Sequence, residues 1–289
     1  MRNKNAVSAR GSLIQRMLLT PYSIWAVLFI VVPLFFIAFY AFTDSQMHFT
    51  LDNMRKVFTY RVNAEQTTPY YVMVFGRSFK LAVISTLICL LLGYPFAYRI
   101  AHASPRVQGI LITVIMIPMW MNFLIRTYAW MVILQDKGIL NGGLALLGLG
   151  PIHVIGTETA VIIGMVYDYL PYMILPIYSV MAKMDNKLLE AARDLGCNSF
   201  GVLRRVIWPL SLPGVISGIT MVLIPSISTF YISQKLGDGK FFLIGDAIEG
   251  QYVANNLHFA AAIAFILMVV LLVCMALMQR GANRKATVM

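Results

Sequence analysis

Charge is scarce in this sequence. Of its 289 residues only 12% are Asp, Glu, Lys or Arg, where a soluble domain carries about a quarter. With 59% hydrophobic residues and a mean hydropathy of +0.75, the chain is excluded from the ordinary soluble class. Cysteine is scarce too: Cys89, Cys197 and Cys274 are far apart and make no C-x-x-C pair, which argues against a disulfide framework or a zinc site. The four histidines, His48, His102, His153 and His258, are dispersed, so no metal is expected. No G-x-x-x-x-G-K-[ST] occurs; Gly237-Asp238-Gly239-Lys240 runs into Phe241 and lacks the first glycine at the required distance. Without a P-loop to cradle phosphates, any ATP energy must come from another subunit. No G-x-S-x-G nucleophile motif appears either, so enzyme chemistry has no evident seat.

What the sequence does have is long uncharged intervals. Between Arg16 and Asp44 lie 27 residues, between Lys80 and Arg99 18, and between Arg106 and Arg126 19. Glu158 to Lys183 encloses 24 with one charge, Asp168; Arg205 to Lys235 encloses 29, and Glu249 to Arg280 encloses 30. A bilayer core needs about 20 apolar residues at the helical rise, so each interval holds one span and none holds two. The expectation is an all-α, six-span membrane protein, with helices near 20–42, 78–100, 107–128, 159–182, 211–232 and 258–279. The first apolar run is too long for a cleavable signal peptide and no A-x-A site follows it. Ile139 to Leu149 is too short to span and reads as interfacial or re-entrant. Residues 1–19 and 280–289 are expected to be tails, and 185–213 a cytoplasmic loop within the span domain.

Orientation follows from the cations. With the N-terminus inside, the cytoplasmic segments hold 14 Lys and Arg against the 3 acids Asp185, Glu190 and Asp194, while the other side is nearly balanced at 9 against 8. Lys/Arg bias sets orientation, so both termini are expected in the cytoplasm, and the net charge of +11 needs no nucleic acid to explain it. Pro33, Pro95, Pro118, Pro171, Pro176, Pro213 and Pro225 lie in or at the ends of the spans. Broken helices are tolerated at membrane depth where they face protein or a water-filled path, which suits a transporter; simple kinking is the alternative.

The loop 185–213 carries the most information. Leu188, Ala192 and Leu195 share a helical face, Gly196 supplies a permissive backbone, and Asn198 or Ser199 can cap a second helix striped by Phe200, Leu203 and Ile207. Pro209 is expected to push Trp208 out of the helical region and end that helix. An amphipathic helix–glycine–helix with small residues at Ala191 and Ala192 is suited to docking in a groove. Glu190-Ala191-Ala192, Gly196 and Val206-Ile207-Trp208-Pro209 resemble the EAA loop of the permease subunits of bacterial type I ABC importers, with Val206 and Trp208 as apolar departures from the family pattern E-A-A-x3-G-x9-I-x-L-P.

That resemblance implies the MetI-like permease fold in a bacterial inner membrane, with a loop that couples the spans to a separate ATPase through Glu190, Ala191, Ala192, Gly196, Arg204, Arg205 and Pro209. Pro118 to Trp130, Gly138 to Asn141, Leu170 to Tyr178, Phe230 to Ser233, and Leu243 to Asp246 with Gln251 narrow it to polyamine permeases, specifically the first permease subunit of spermidine/putrescine importers. The implied partners are a second homologous permease, two cytoplasmic ATPase subunits, a periplasmic polyamine-binding protein and membrane lipid. ATP and Mg would belong to the ATPase, and this chain would bind no cofactor itself. Sulfate, molybdate, iron, thiamine or an aminophosphonate are alternative solutes for the same machine. An anion importer would more naturally carry cations inside its spans. An ion-coupled carrier would leave the EAA loop unexplained, and a membrane enzyme would show clustered His, Asp or Ser.

Asp168 is the one carboxylate well inside a span, and burying it uncompensated costs several kcal/mol. With Tyr172 one turn on and Tyr167 and Tyr169 beside it, it offers a polyamine charge pairing and cation–π attraction. A structural ion pair is the equal alternative, and Arg126 is expected to snorkel or pair. Trp120, Asn122, Tyr128, Trp130 and Phe230 complete the candidate path, although aromatics near span ends also serve as interfacial anchors.

Overall fold

The computed structural model describes residues 20–62, 68–240 and 242–286. The tail expected at 1–19 lies outside them, as do the last three residues of the tail expected at 280–289. Twelve helices are described: α1 (Thr20–Ala41), α2 (Asp52–Thr59), α3 (Tyr70–Ala101), α4 (Pro105–Trp120), α5 (Phe123–Leu134), α6 (Ile139–Leu146), α7 (Glu158–Met181), α8 (Asn186–Asp194), α9 (Ser199–Ser228), α10 (Tyr231–Leu236), α11 (Ile244–Val253) and α12 (Leu257–Ala286). Five of these, α1, α3, α7, α9 and α12, are long and apolar enough to cross a membrane.

The third expected span is different. It is not one helix over 107–128 but α4, a break at Met121-Asn122, and α5–α6, with a bend of 94°. Pro118 removes a backbone donor near the end of α4, and Asn122 starts α5 by accepting the Leu124 N–H on its side-chain oxygen at 2.8 Å. The short piece at Ile139–Leu146 is a helix in its own right, fixed by Asn141, whose amide donates to the Ile152 carbonyl at 3.0 Å and whose side-chain oxygen accepts from the Ile152 N–H at 2.8 Å.

α9 departs from expectation at the other end. Trp208 keeps helical angles, φ −58° and ψ −53°, and the helix runs through Pro209 from the 185–207 hairpin into the long apolar span. A wide turn at Leu203–Ile207, closed by Trp208 N–H to the Leu203 carbonyl, accommodates the ring that would otherwise clash one turn back. α1 uses the same device two residues before Pro33, with a wide turn at Val27–Val31.

The core is built on α7, packed between α3 and α9. Cys89, Ala97, Met173, Ile177, Val215 and Val222 are buried together there. Close approach depends on small residues: a Cβ on Gly214 would sit 2.8 Å from the Pro176 carbonyl oxygen, and one on Gly218 2.8 Å from the Met173 sulfur. This is the packing expected where water offers no hydrophobic drive between helices. α1, with 6% of its most apolar window buried, lies at the periphery against α12.

Candidate functional site: coupling hairpin and translocation path

The hairpin formed by α8 and the start of α9 is a locally closed unit. Asp185 caps α8 by accepting the Lys187 N–H at 3.0 Å. At the far end the Gly196 N–H donates to the Arg193 carbonyl at 2.8 Å and the Cys197 N–H to the Ala192 carbonyl at 3.1 Å, a Schellman stop with Gly196 at φ +83°. Asn198, not Ser199, caps the second helix, accepting from the Gly201 N–H at 2.7 Å. Leu189, Val202 and Ile207 are buried in the same cluster as Ile100 and Met181, so the hairpin is rooted in the ends of α3 and α7.

The face turned away from that root is open. Glu190, Ala191, Gly196, Arg204 and Arg205 are exposed, and Ala192 is half-buried. Leu188 and Phe200 are exposed, and Leu195 is 86% exposed. An open pocket of 640 Å³ is lined by Leu195, Gly196, Asn198, Phe200, Arg204 and Arg205. The stripe expected from Phe200, Leu203 and Ile207 is therefore divided, because the helix rolls Ile207 into the core while Phe200 stays outside. Pro209 is half-buried inside α9, so its place in the site is as part of a continuous shaft. Four residues join α7 to α8, and α9 is unbroken. The hairpin is thus joined directly to both central spans.

At the opposite end Asp168 is 2% exposed and Arg126 8%. Arg126 Nη1 lies 3.3 Å from Asp168 Oδ1, so the charge inside the span is met by an ion pair. Tyr172 is exposed while Asp168 is buried, so the two offer no common open surface. Trp130 is half-buried, edge-on to Tyr167 at 5.2 Å, whereas Trp120 is 75% exposed just before the break. Tyr128 is exposed, with the Lys235 ammonium 5.2 Å from its ring centre and Tyr231 at 6.1 Å. Phe230 is exposed at a second break, between α9 and α10. The structure thus gathers Asp168, Tyr128 and Trp130 around α5 and α7, and leaves Trp120, Tyr172 and Phe230 on open faces.

One buried group carried no motif. Asp246, at the N-terminus of α11, accepts from the Leu243 N–H and the Ser233 hydroxyl, each at 2.7 Å, while its other oxygen is buried without a hydrogen-bond partner. Burial pushes its carboxyl up from 3.8 to about 6. The signals for Asp246 in the sequence were its place in the Leu243–Asp246 segment that carries the family resemblance and, three residues after Leu243, at the N3 position of α11; neither announced its burial.

The family of binding-protein-dependent transport system inner membrane components matches residues 90–288, from within α3 to the C-terminal end, and so takes in the hairpin and all the central spans. This chain belongs to that family. It is a multi-pass inner membrane permease of an ABC importer, a transport subunit and not itself an ATPase, in a system that works through a binding protein. It is 38% identical over 273 residues to the spermidine/putrescine transport system permease protein PotB of Haemophilus influenzae, covering 90% of this chain and 92% of that one. Its fold matches a chain of a bacterial alginate ABC transporter crystallised in complex with an alginate pentasaccharide-bound periplasmic protein, at TM-score 0.77 and 16% identity over 98% of both chains. It also matches a chain of the inward-facing MetNI methionine transporter at TM-score 0.51 and 18% identity, over 75% of this chain and 95% of that one.

Proposed function

We propose that this permease carries polyamines, spermidine and putrescine, as one half of a heterodimer with a second homologous permease. Two cytoplasmic ATPase subunits and a periplasmic polyamine-binding protein complete the machine. The observation that carries the ligand class is the 38% identity, sustained over nine-tenths of the chain, to a spermidine/putrescine permease. Both termini lie in the cytoplasm in this reading, which puts α8 and the hairpin on the ATPase side, in keeping with the cation bias.

The hairpin's geometry supports a mechanism. An exposed apolar tip of Leu188, Leu195 and Phe200, with small residues at Ala191 and Gly196 permitting close approach, seats in a cleft of the ATPase. Glu190 meets the ATPase surface, and Arg204 and Arg205 supply cations beside it. When ATP closes the ATPase dimer the hairpin moves, and the rigid continuity of α7 and α9 carries the motion to the outer breaks at Met121-Asn122 and Thr229-Phe230. Mg-bound ATP stays on the ATPase, and this chain supplies no cofactor site.

The test is affinity purification of this chain coexpressed with its ATPase and second permease. The ATPase is expected to copurify with the wild type and to be lost with Gly196→Asp. A Cβ at Gly196 meets nothing within 4 Å; φ +83° strains any side chain there, and Asp is among the residues that bear that strain best, so the variant is compared at equal insertion with the second permease still bound. Retention of the ATPase by Gly196→Asp would remove this face from the contact.

A further inference from the structure

Asp168 is a poor place for an amine to meet a carboxylate in this chain. Its charge is already matched by Arg126, and the aromatic face nearby at Tyr128 is already covered by the Lys235 ammonium, so two cations repel a third. A second carboxylate has the opposite surroundings. Glu249, half-buried on α11, accepts a hydrogen bond from the neutral Gln234 amide and forms no ion pair among the described residues. It stands at the edge of a 540 Å³ pocket between α1, α11, α12 and the α9–α10 break.

The walls of this pocket are aliphatic and aromatic. Ala261, Ala264 and Leu267 of α12, Tyr40 of α1, Phe230 at the α9–α10 break and Tyr252 of α11 all line it. Besides Glu249, the side-chain polar groups on its lining are the hydroxyls of Tyr40, Ser228 and Tyr252. One anion, rings that attract ammonium groups through their faces, and an apolar trough match a linear aliphatic amine, whose charges alternate with methylene runs. A negatively charged solute would find no cation on the lining. A lipid chain would fit the trough but gives no use to the unpaired carboxylate.

We infer that this pocket is a station on the translocation path, where Glu249 receives an ammonium group of a di- or polyamine and Tyr40, Phe230 and Tyr252 enclose its chain. The inference rests on the polyamine reading, and its test separates the two. The four-protein complex is reconstituted in liposomes, and uptake of labelled putrescine and spermidine is measured at saturating loaded binding protein, per assembled complex. Glu249→Gln, nearly isosteric, is expected to lower the rate about tenfold or more, the scale of one charge-assisted hydrogen bond. Glu249→Asp keeps the charge and is expected to retain most of the rate. Ala264→Phe, which fills the trough, is expected to slow uptake as Glu249→Gln does. Wild-type complex that moves no polyamine would overturn the ligand class, and this assignment with it. Polyamine uptake that is unchanged in Glu249→Gln would leave the ligand class standing and overturn the pocket; unchanged uptake in Ala264→Phe would assign the trough to lipid.

Discussion

Two buried acids set the residue-scale expectations. The Arg126–Asp168 pair, at 3.3 Å and almost fully enclosed, is matched as a pair and costly when halved. Arg126→Ala strands the carboxylate and is expected to destabilise the protein by about 3–5 kcal/mol, whereas replacing both members with apolar residues of similar size costs less. Thermal unfolding in detergent checks the ordering: Arg126→Met with Asp168→Leu should melt above Arg126→Ala. If the double variant melts lower, the pair contributes more than charge balance. Asp246 works through pH. Its carboxyl holds its proton up to about 6 in the fold, against 3.8 when free, so the folded state binds the proton more tightly. Stability is therefore greatest below 3.8, falls as pH rises towards about 6, and loses nothing further from this group above that. Asp246→Asn, with no charge to bury, should flatten the melting-point curve across that window, and an unchanged slope would assign it to other groups.

At the scale of elements, the hairpin was the most legible part of the chain. Glu190-Ala191-Ala192, Gly196 and Asn198 are local signals, and a Schellman stop and an N-cap need only neighbouring backbone to form. Asn198→Ala should cost the second helix about 1 kcal/mol, measurable as a lowered melting point. Glu190→Lys should abolish transport while the chain still inserts at wild-type level; full uptake by that variant would remove Glu190 from the coupling contact. Pro209 was misleading because its local rule is the helix stop, and a wide turn at Leu203–Ile207, invisible to residue preference, overrode it. The third span was also only partly legible. Nineteen uncharged residues between Arg106 and Arg126 give the length of a span, but not the 94° bend at Met121-Asn122, nor the Arg126–Asp168 contact just beyond it, made across 42 positions in sequence. The meeting of Glu249 with Tyr40 and Phe230 is likewise tertiary: Phe230 lies in a segment that carries the family resemblance, but nothing local brings it to Tyr40 or Glu249.

The whole molecule is a central pair of spans, α7 and α9, held by α3 and extended at one end into a docking hairpin and at the other into broken helices. Gly214 and Gly218 fix how closely the pair can pack, and Gly214→Val, which would put atoms against the Pro176 carbonyl, should sharply reduce the yield of folded protein. In the proposed mechanism the continuous helices α7 and α9 carry the hairpin's motion to the breaks at 121–122 and 229–230. α1 lies outside the family match at 90–288 and packs mainly on α12, with Tyr40 on the lining of the pocket that holds Glu249.

The most direct measurement is uptake of radiolabelled putrescine and spermidine in cells lacking their own polyamine importers. Those cells would express this chain with its ATPase, second permease and binding protein, beside a Gly196→Asp control. Energy-dependent uptake that is lost in the control is the expected result, since it requires both the ligand class and the hairpin. Absence of uptake by all four proteins, present and assembled, would contradict the polyamine assignment.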